Sequence, residues 1–110
     1  MTTIGNDTFR GCSSLSSVTL GSSVTSIGYG AFWDCEFTSI NIPSSVKSIA
    51  DHAFFSCDKL DKVNISDVST WCSISFEGSS SNPLYYAENL YLNGEKIINL
   101  IIPKLMGYKW

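Results

Sequence analysis

Phe37-Thr38-Ser39-Ile40-Asn41-Ile42-Pro43-Ser44-Ser45-Val46-Lys47-Ser48-Ile49-Ala50-Asp51-His52-Ala53-Phe54-Phe55-Ser56-Cys57 is one complete unit of a pattern that runs through the chain. Its closing part, Ile49-Ala50 to Ala53-Phe54 to Cys57, has counterparts in Ile4-Gly5 to Thr8-Phe9 to Cys12 and in Ile27-Gly28 to Ala31-Phe32 to Cys35. Phe9, Phe32 and Phe54 lie 23 and 22 residues apart, and Cys12, Cys35 and Cys57 keep the same two steps. A fixed period of this size marks units that cannot bury an apolar face alone and stack on copies of themselves. The opening part, Phe37-x-x-Ile40-x-Ile42, is echoed by Leu15-x-x-Val18-x-Leu20 and Leu60-x-x-Val63-x-Ile65. Alternation puts Val18 and Leu20, Ile40 and Ile42, and Val63 and Ile65 on one face, so strands of successive units pair in parallel over a shared core. Gly21-Ser22-Ser23 and Pro43-Ser44-Ser45 then turn the chain, and Val24-x-x-Ile27 and Val46-x-x-Ile49 bring it inward again as a short second strand. Apolar spacing by three from Thr8 to Cys12, Ala31 to Cys35 and Ala53 to Cys57 predicts one helical or 3₁₀ turn.

From Asp67 the pattern is interrupted. Trp71-Cys72-Ser73-Ile74-Ser75-Phe76 precedes Glu77-Gly78-Ser79-Ser80-Ser81-Asn82-Pro83, which has a plain loop composition. Leu90-Tyr91-Leu92, Asn93-Gly94 and Ile98-Asn99-Leu100-Ile101-Ile102 predict a hairpin, since Asn-Gly suits a type I′ turn. The second arm also reads as a repeat strand, because Ile97-x-x-Leu100-x-Ile102-Pro103 matches Phe37-x-x-Ile40-x-Ile42-Pro43. Val63 to Leu100 spans 37 residues, which implies an insertion of about 14 against the period. The expected organisation is a single domain over 1–110. It comprises a partial repeat 1–14, repeats 15–36 and 37–59, a unit 60–96 with an insertion at 67–94, and a partial repeat at 97–110.

Composition limits the function classes. Hydrophobic content of 44% is globular, only 15% of residues are charged, and the net charge is -3. Seven Lys plus Arg, scattered singly, give no basic stripe for a phosphate backbone, so nucleic acid is disfavoured. No apolar run approaches the roughly 18 residues of a membrane helix, and Met1-Thr2-Thr3-Ile4-Gly5 carries neither a basic start nor an apolar core of an export signal. Equivalent cysteines on coils about 4.8 Å apart point the same way, side by side, so small buried thiols are expected rather than disulfides.

These residues resemble the BspA-like (Treponema pallidum type) leucine-rich repeats, whose units read roughly Leu-x-x-Ile-x-Ile-Pro-x-Ser-Val-x-x-Ile-Gly-x-x-Ala-Phe-x-x-Cys. Ile40 to Ile49 and Gly30-Ala31-Phe32-Trp33-Asp34-Cys35 are near-consensus, and the insertion with Trp-Cys, Phe, Asn-Pro-Leu and Leu-Tyr-Leu-Asn-Gly also resembles the family. Thr8 for Ala, Ala50 for Gly, Gly21 for Pro and a residue missing between Cys35 and Phe37 depart from it. The resemblance implies an α/β leucine-rich-repeat fold: a β-rich right-handed solenoid with a parallel concave sheet and short helical or 3₁₀ turns opposite. It further implies a non-enzymatic interaction module on a microbial cell surface, an adhesin for host or matrix protein or glycan. Cofactors and catalytic residues are not part of the family pattern.

On the concave strands the outward positions are Ser17 and Thr19, Ser39 and Asn41, Lys62 and Asn64, then Asn99 and Ile101. They form either a polar strip that hydrogen-bonds a partner or an ordinary solvated surface. Trp71, Tyr85, Tyr86 and Tyr91 are candidates for an aromatic patch, with Trp71 and Phe76 alternatively capping the core. His52, the one histidine, shares its repeat slot with Asp7 and Gly30, a variable and therefore exposed position; no serine lies in a glycine-elbow motif. The cysteines lack zinc spacing, and Asp34 with Glu36 or Asp58 with Asp61 lack the calcium-loop pattern, so no metal site is expected. Asn6-Asp7-Thr8 and Asn64-Ile65-Ser66 fit the glycosylation sequon, which matters only in a eukaryote. An uncapped terminal coil exposes apolar surface and strand edges, so homo-oligomerisation through the solenoid ends, near Ile4 and Trp110, is the rival expectation.

Overall fold

The computed structural model describes residues 2–78, 80–87 and 89–97. Its elements in order are β1 (Thr3–Ile4), β2 (Ser17–Thr19), β3 (Ser26–Ile27), β4 (Ser39–Asn41), β5 (Ser48–Ile49), β6 (Lys62–Ile65), α1 (Val68–Cys72), β7 (Ser75–Phe76), α2 (Leu84–Ala87), β8 (Leu90–Leu92) and β9 (Glu95–Lys96). They wind into a solenoid of about four turns with two sheets, ordered β2-β4-β6-β8-β9 and β1-β3-β5-β7. All neighbours pair in parallel except β8 with β9. Both strands expected in each unit are therefore present. Their apolar members, Ile40, Val63 and Leu90 in one sheet and Ile27 and Ile49 in the other, are at most 1% exposed.

The segment opposite the concave sheet bonds in a mixed way. Ala31, Trp33 and Cys35 donate their N–H groups back three residues, to Gly28, Gly30 and Phe32. The amides between them, Gly30, Phe32 and Asp34, donate instead to Asp51, Ala53 and Phe55 of the next coil at 3.4, 2.8 and 2.7 Å. The expected i to i−3 bonding is thus made at every second residue, and the alternate amides tie coil to coil. Such a path needs left-handed backbone twice per coil, found at Asp7 and Gly11, Gly30 and Asp34, and His52 and Ser56. Apolar spacing by three cannot tell this chain of turns from a helical turn, because both direct every third side chain inward.

Inside these turns the phenylalanines stack. Phe9 and Phe32, then Phe32 and Phe54, have ring centroids 5.4 and 5.5 Å apart and planes within 9° of parallel. Cys35 Sγ donates to Phe9 O at 2.9 Å and Cys57 Sγ to Phe32 O at 3.0 Å, so each thiol bonds the coil before it. Phe32, Phe54, Cys35 and Cys57 are buried, whereas Phe9 and Cys12 are only half-buried.

The register corrects the expected insertion. Val63 pairs with Leu90, so the place after Val63 belongs to Leu90 and not to Leu100, which lies outside the described residues. Phe76 to Leu90 spans 14 residues, as does Ile49 to Val63; the extra length falls between Val63 and Phe76, 13 residues against 9 from Ile40 to Ile49. Helix α1 fills it, started by Asp67, whose Oδ1 accepts the Ser69 N–H at 2.9 Å. The plain loop is likewise part of the coil: Ser80 O accepts the Phe54 N–H as Ala53 O accepts that of Phe32, and Ser81, Asn82 and Pro83 are buried. The hairpin turns at Asn93-Gly94, with φ of 49° and 87°, but its returning arm is Glu95–Lys96. The predicted arm Ile98 to Ile102 lies outside the described residues.

Candidate functional site

The site is built by strand alternation. With Val18, Ile40, Val63 and Leu90 turned into the core, their neighbours face out. Parallel register aligns these neighbours into two columns, Ser17 with Ser39 and Lys62, and Thr19 with Asn41, Asn64 and Tyr91. The six sequence-predicted residues among the described ones are therefore brought together on one surface. Ser17, Thr19, Asn41 and Lys62 are exposed, Ser39 and Asn64 half-buried. Asn99 and Ile101 lie outside the described residues, and the place expected of them beside β6 is held by β8, whose outward residue is Tyr91.

Tyr91 is the residue that the sequence reading placed elsewhere, in the aromatic patch of the insertion. Its signal was present: Leu90-Tyr91-Leu92 repeats the inward-outward-inward pattern of Ile40-Asn41-Ile42. Of the other members of that patch only Tyr85 and Tyr86 meet, edge-on with centroids 4.9 Å apart. Trp71 is 2% exposed and packs edge-on against Phe76, with centroids 5.4 Å apart. Tyr86 OH accepts the Ser56 N–H at 2.8 Å, and Tyr85 stands 54% exposed.

The strip is mostly uncharged. Asn41 Nδ2 donates to Thr19 Oγ1 at 3.1 Å, and Lys62 Nζ lies 5.1 Å from the Tyr91 ring centroid, within cation–π range. At its lower rim Asn89 Nδ2 donates to Asp61 O and Oδ1 at 3.1 and 3.2 Å. Where the strands leave the sheet, Asn41, Asn64, Ser66 and Asn93 rim a cleft of about 380 Å³ with Pro43 and Ile65 beneath.

His52 is not freely exposed as its slot suggested. Its side chain is 28% accessible, with Nδ1 2.7 Å from Asp51 Oδ1 and the ring stacked on Trp33 at 5.4 Å. Phe55 and Tyr29 close around it at 5.1 and 5.7 Å. Arg10 Cζ also lies 4.1 Å from the Trp33 ring, so this face carries an aromatic ladder of its own. No repeat pattern signals it, since each member occupies a variable repeat slot.

Among the described residues no group of three His, Cys, Asp or Glu could hold a metal ion, and no helix is long and apolar enough to cross a membrane. Asp34, Glu36, Asp58 and Asp61 are exposed. The four cysteines are free thiols. Burial pushes the Cys57 thiol up to about 12, against a lowering by the backbone N–H of Cys35, and raises that of Cys35 as well. Such thiols are poor nucleophiles at neutral pH.

Comparison with known structures finds a crystal structure of a leucine-rich-repeat protein of T. pallidum, 28% identical, with a TM-score of 0.54 over 73% of this chain. The chain spans 46% of that protein's length. Comparison with curated proteins returns no match. The BspA-type leucine-rich-repeat region matches residues 1–101 in 6 copies, and the chain belongs to that family.

Proposed function

We propose that the chain is a non-enzymatic recognition module that binds a protein or glycan through the concave strip of Ser17, Thr19, Ser39, Asn41, Lys62 and Asn64, as part of a microbial surface adhesin. The observation that carries this reading is the in-register column Thr19-Asn41-Asn64, outward on a parallel sheet, in which Asn41 bonds Thr19 and leaves its carbonyl oxygen and the Asn64 carboxamide to a partner. Strands fix the spacing of these groups, so little ordering cost falls on binding. Leucine-rich-repeat folds are typically interaction scaffolds, which agrees with it. The test is a surface-plasmon screen against matrix proteins, mucins and glycans, with the triple variant Asn41→Ala, Lys62→Ala, Asn64→Ala alongside. A ligand that the parent binds and the folded triple variant does not supports the strip. Equal binding by both moves the function to another face.

One observation favours a second reading, in which the module assembles through a solenoid end. Beside β2, with no strand on its outer side among the described residues, lies an apolar groove of about 440 Å³ lined by Ile4, Phe9, Leu15, Val18 and Leu20. Except for Ile4, these side chains are half-buried, whereas their counterparts one coil on are buried. Light scattering behind a sizing column tests this: a single mass near 12.1 kDa at high concentration rules it out. The other named end residue, Trp110, lies outside the described residues.

A further inference from the structure

Resting on the concave-strip reading, we infer that its occupant is a neutral, extended glycan, laid across the strands along Thr19, Asn41 and Asn64 and stacked on Tyr91. The column is uncharged throughout, and its carboxamides each offer a donor and an acceptor. Asn41 Nδ2 is bonded to Thr19, while the side chains of Asn64 and Asn93 bond no protein group among the described residues. A cationic ligand would lose hydration there with nothing to compensate, and an anionic one would meet only Lys62 beside Tyr91, whereas sugar hydroxyls, donor and acceptor at once, match the carboxamides and the Thr19 and Ser66 hydroxyls.

Spacing separates a glycan from a peptide. Successive positions of the column repeat with the inter-strand distance of about 4.8 Å, against about 3.3 Å per residue for an extended peptide. One pyranose ring of an extended β-linked glycan advances its chain by nearly the coil step. One ring then falls beside each coil, with successive rings presenting alternate edges to carboxamides that both donate and accept, while a peptide falls out of step. The column ends on a half-buried aromatic ring, paired in register with Asn64 and contacted by Lys62 from the neighbouring strand. An aromatic ring with a polar tip, after a run of hydrogen-bonding groups, suits the apolar face of a sugar. The cleft at Asn93 and Ser66 gives room for substituents at the side of the chain.

The test is calorimetric titration of the whole chain with cellohexaose, xylohexaose and chitohexaose, and with a neutral peptide of matching length as comparison. The expected result is binding of at least one hexasaccharide that is unchanged between low and high salt. Tyr91→Ala and Asn64→Leu should each weaken it about tenfold or more, while Tyr91→Phe retains it. Circular dichroism identifies any variant that fails to fold, and Tyr91→Phe against Asn64→Leu then carries the comparison. Binding that Tyr91→Ala and Asn64→Leu leave untouched overturns the inference. Binding of the peptide alone, lost in the strip variants, overturns the glycan and keeps the concave strip. Failure of hexasaccharides, peptide and the wider screen alike overturns both.

Discussion

Cys57 shows how a residue that looks reactive in the sequence becomes inert in the fold. It is fully buried, its Sγ bonds Phe32 O, and burial moves its pKa from 9.0 to about 12. The sign of the stability effect follows. Above pH 9 the unfolded chain releases this proton while the folded one keeps it, so stability present below pH 9 is lost as pH rises toward 12. The expected slope from this group is about 1.4 kcal/mol per pH unit in that window, read from urea midpoints between pH 8 and 11. Cys57→Ser, which does not ionise there, should flatten the curve. A thiol reagent should modify exposed Cys72 first and reach Cys35 and Cys57 only on unfolding. Backbone strain gives a second residue-scale prediction at one repeat slot. Gly11, Asp34 and Ser56 have φ of 73°, 59° and 63°, and a Cβ on Gly11 would meet nothing within 4 Å. Gly11→Ala should therefore cost about 1 kcal/mol from backbone conformation alone. Ser56→Gly should gain roughly 0.5 kcal/mol, the left-handed penalty less the entropy of glycine. Equal shifts of one sign in the two thermal midpoints would contradict this.

The turn segment is the element that joins coils, and its energy lies in the aromatic stack. Phe32 touches rings on both sides and meets Phe37 edge-on at 5.5 Å, while Phe9 has one stacked neighbour and partial exposure. Phe32→Ala is expected to cost about 3–5 kcal/mol and Phe9→Ala distinctly less, as measured by urea unfolding. Asp67→Ala, which removes the α1 cap, should cost about 1 kcal/mol. The strands were legible because Val18-x-Leu20, Ile40-x-Ile42 and Val63-x-Ile65 alternate between core and solvent, a pattern that a helix does not share. The ladder of Phe and Cys was legible from spacing. What the period could not decide was which of two segments with apolar residues at both inward positions follows Val63, Leu90-Tyr91-Leu92 or Leu100-Ile101-Ile102. The α1 helix absorbs the extra length, so the choice depends on a five-residue element without strong periodicity. Tyr91 was missed for that reason alone. The ladder of Arg10, Trp33 and His52 was missed because stacking between variable slots leaves no repeat signature.

The two ends of the described solenoid differ, and this asymmetry sets the order in which the described coils open. At one side β8 is covered by the antiparallel β9, with α2 packed near β6. At the other, Phe9, Cys12, Leu15, Val18 and Leu20 are half-buried, whereas Phe32, Cys35, Phe37, Ile40 and Ile42 are at most 3% exposed. In a repeat architecture each coil is held by its nearest neighbours, so opening the first coil breaks one interface and opening an inner coil breaks two. The amides of Asp7, Phe9 and Gly11 donate across that single interface, to Tyr29, Ala31 and Trp33 at 2.9, 2.8 and 2.7 Å. Native-state hydrogen exchange should therefore find them less protected than Phe32 and Asp34, by about tenfold for each 1.4 kcal/mol of difference. Equal protection throughout would mean that the first coil is held from outside. A dilution series then separates the causes: protection that falls on dilution belongs to a second copy seated on the Phe9 and Leu15 groove, and protection that does not belongs to the single chain.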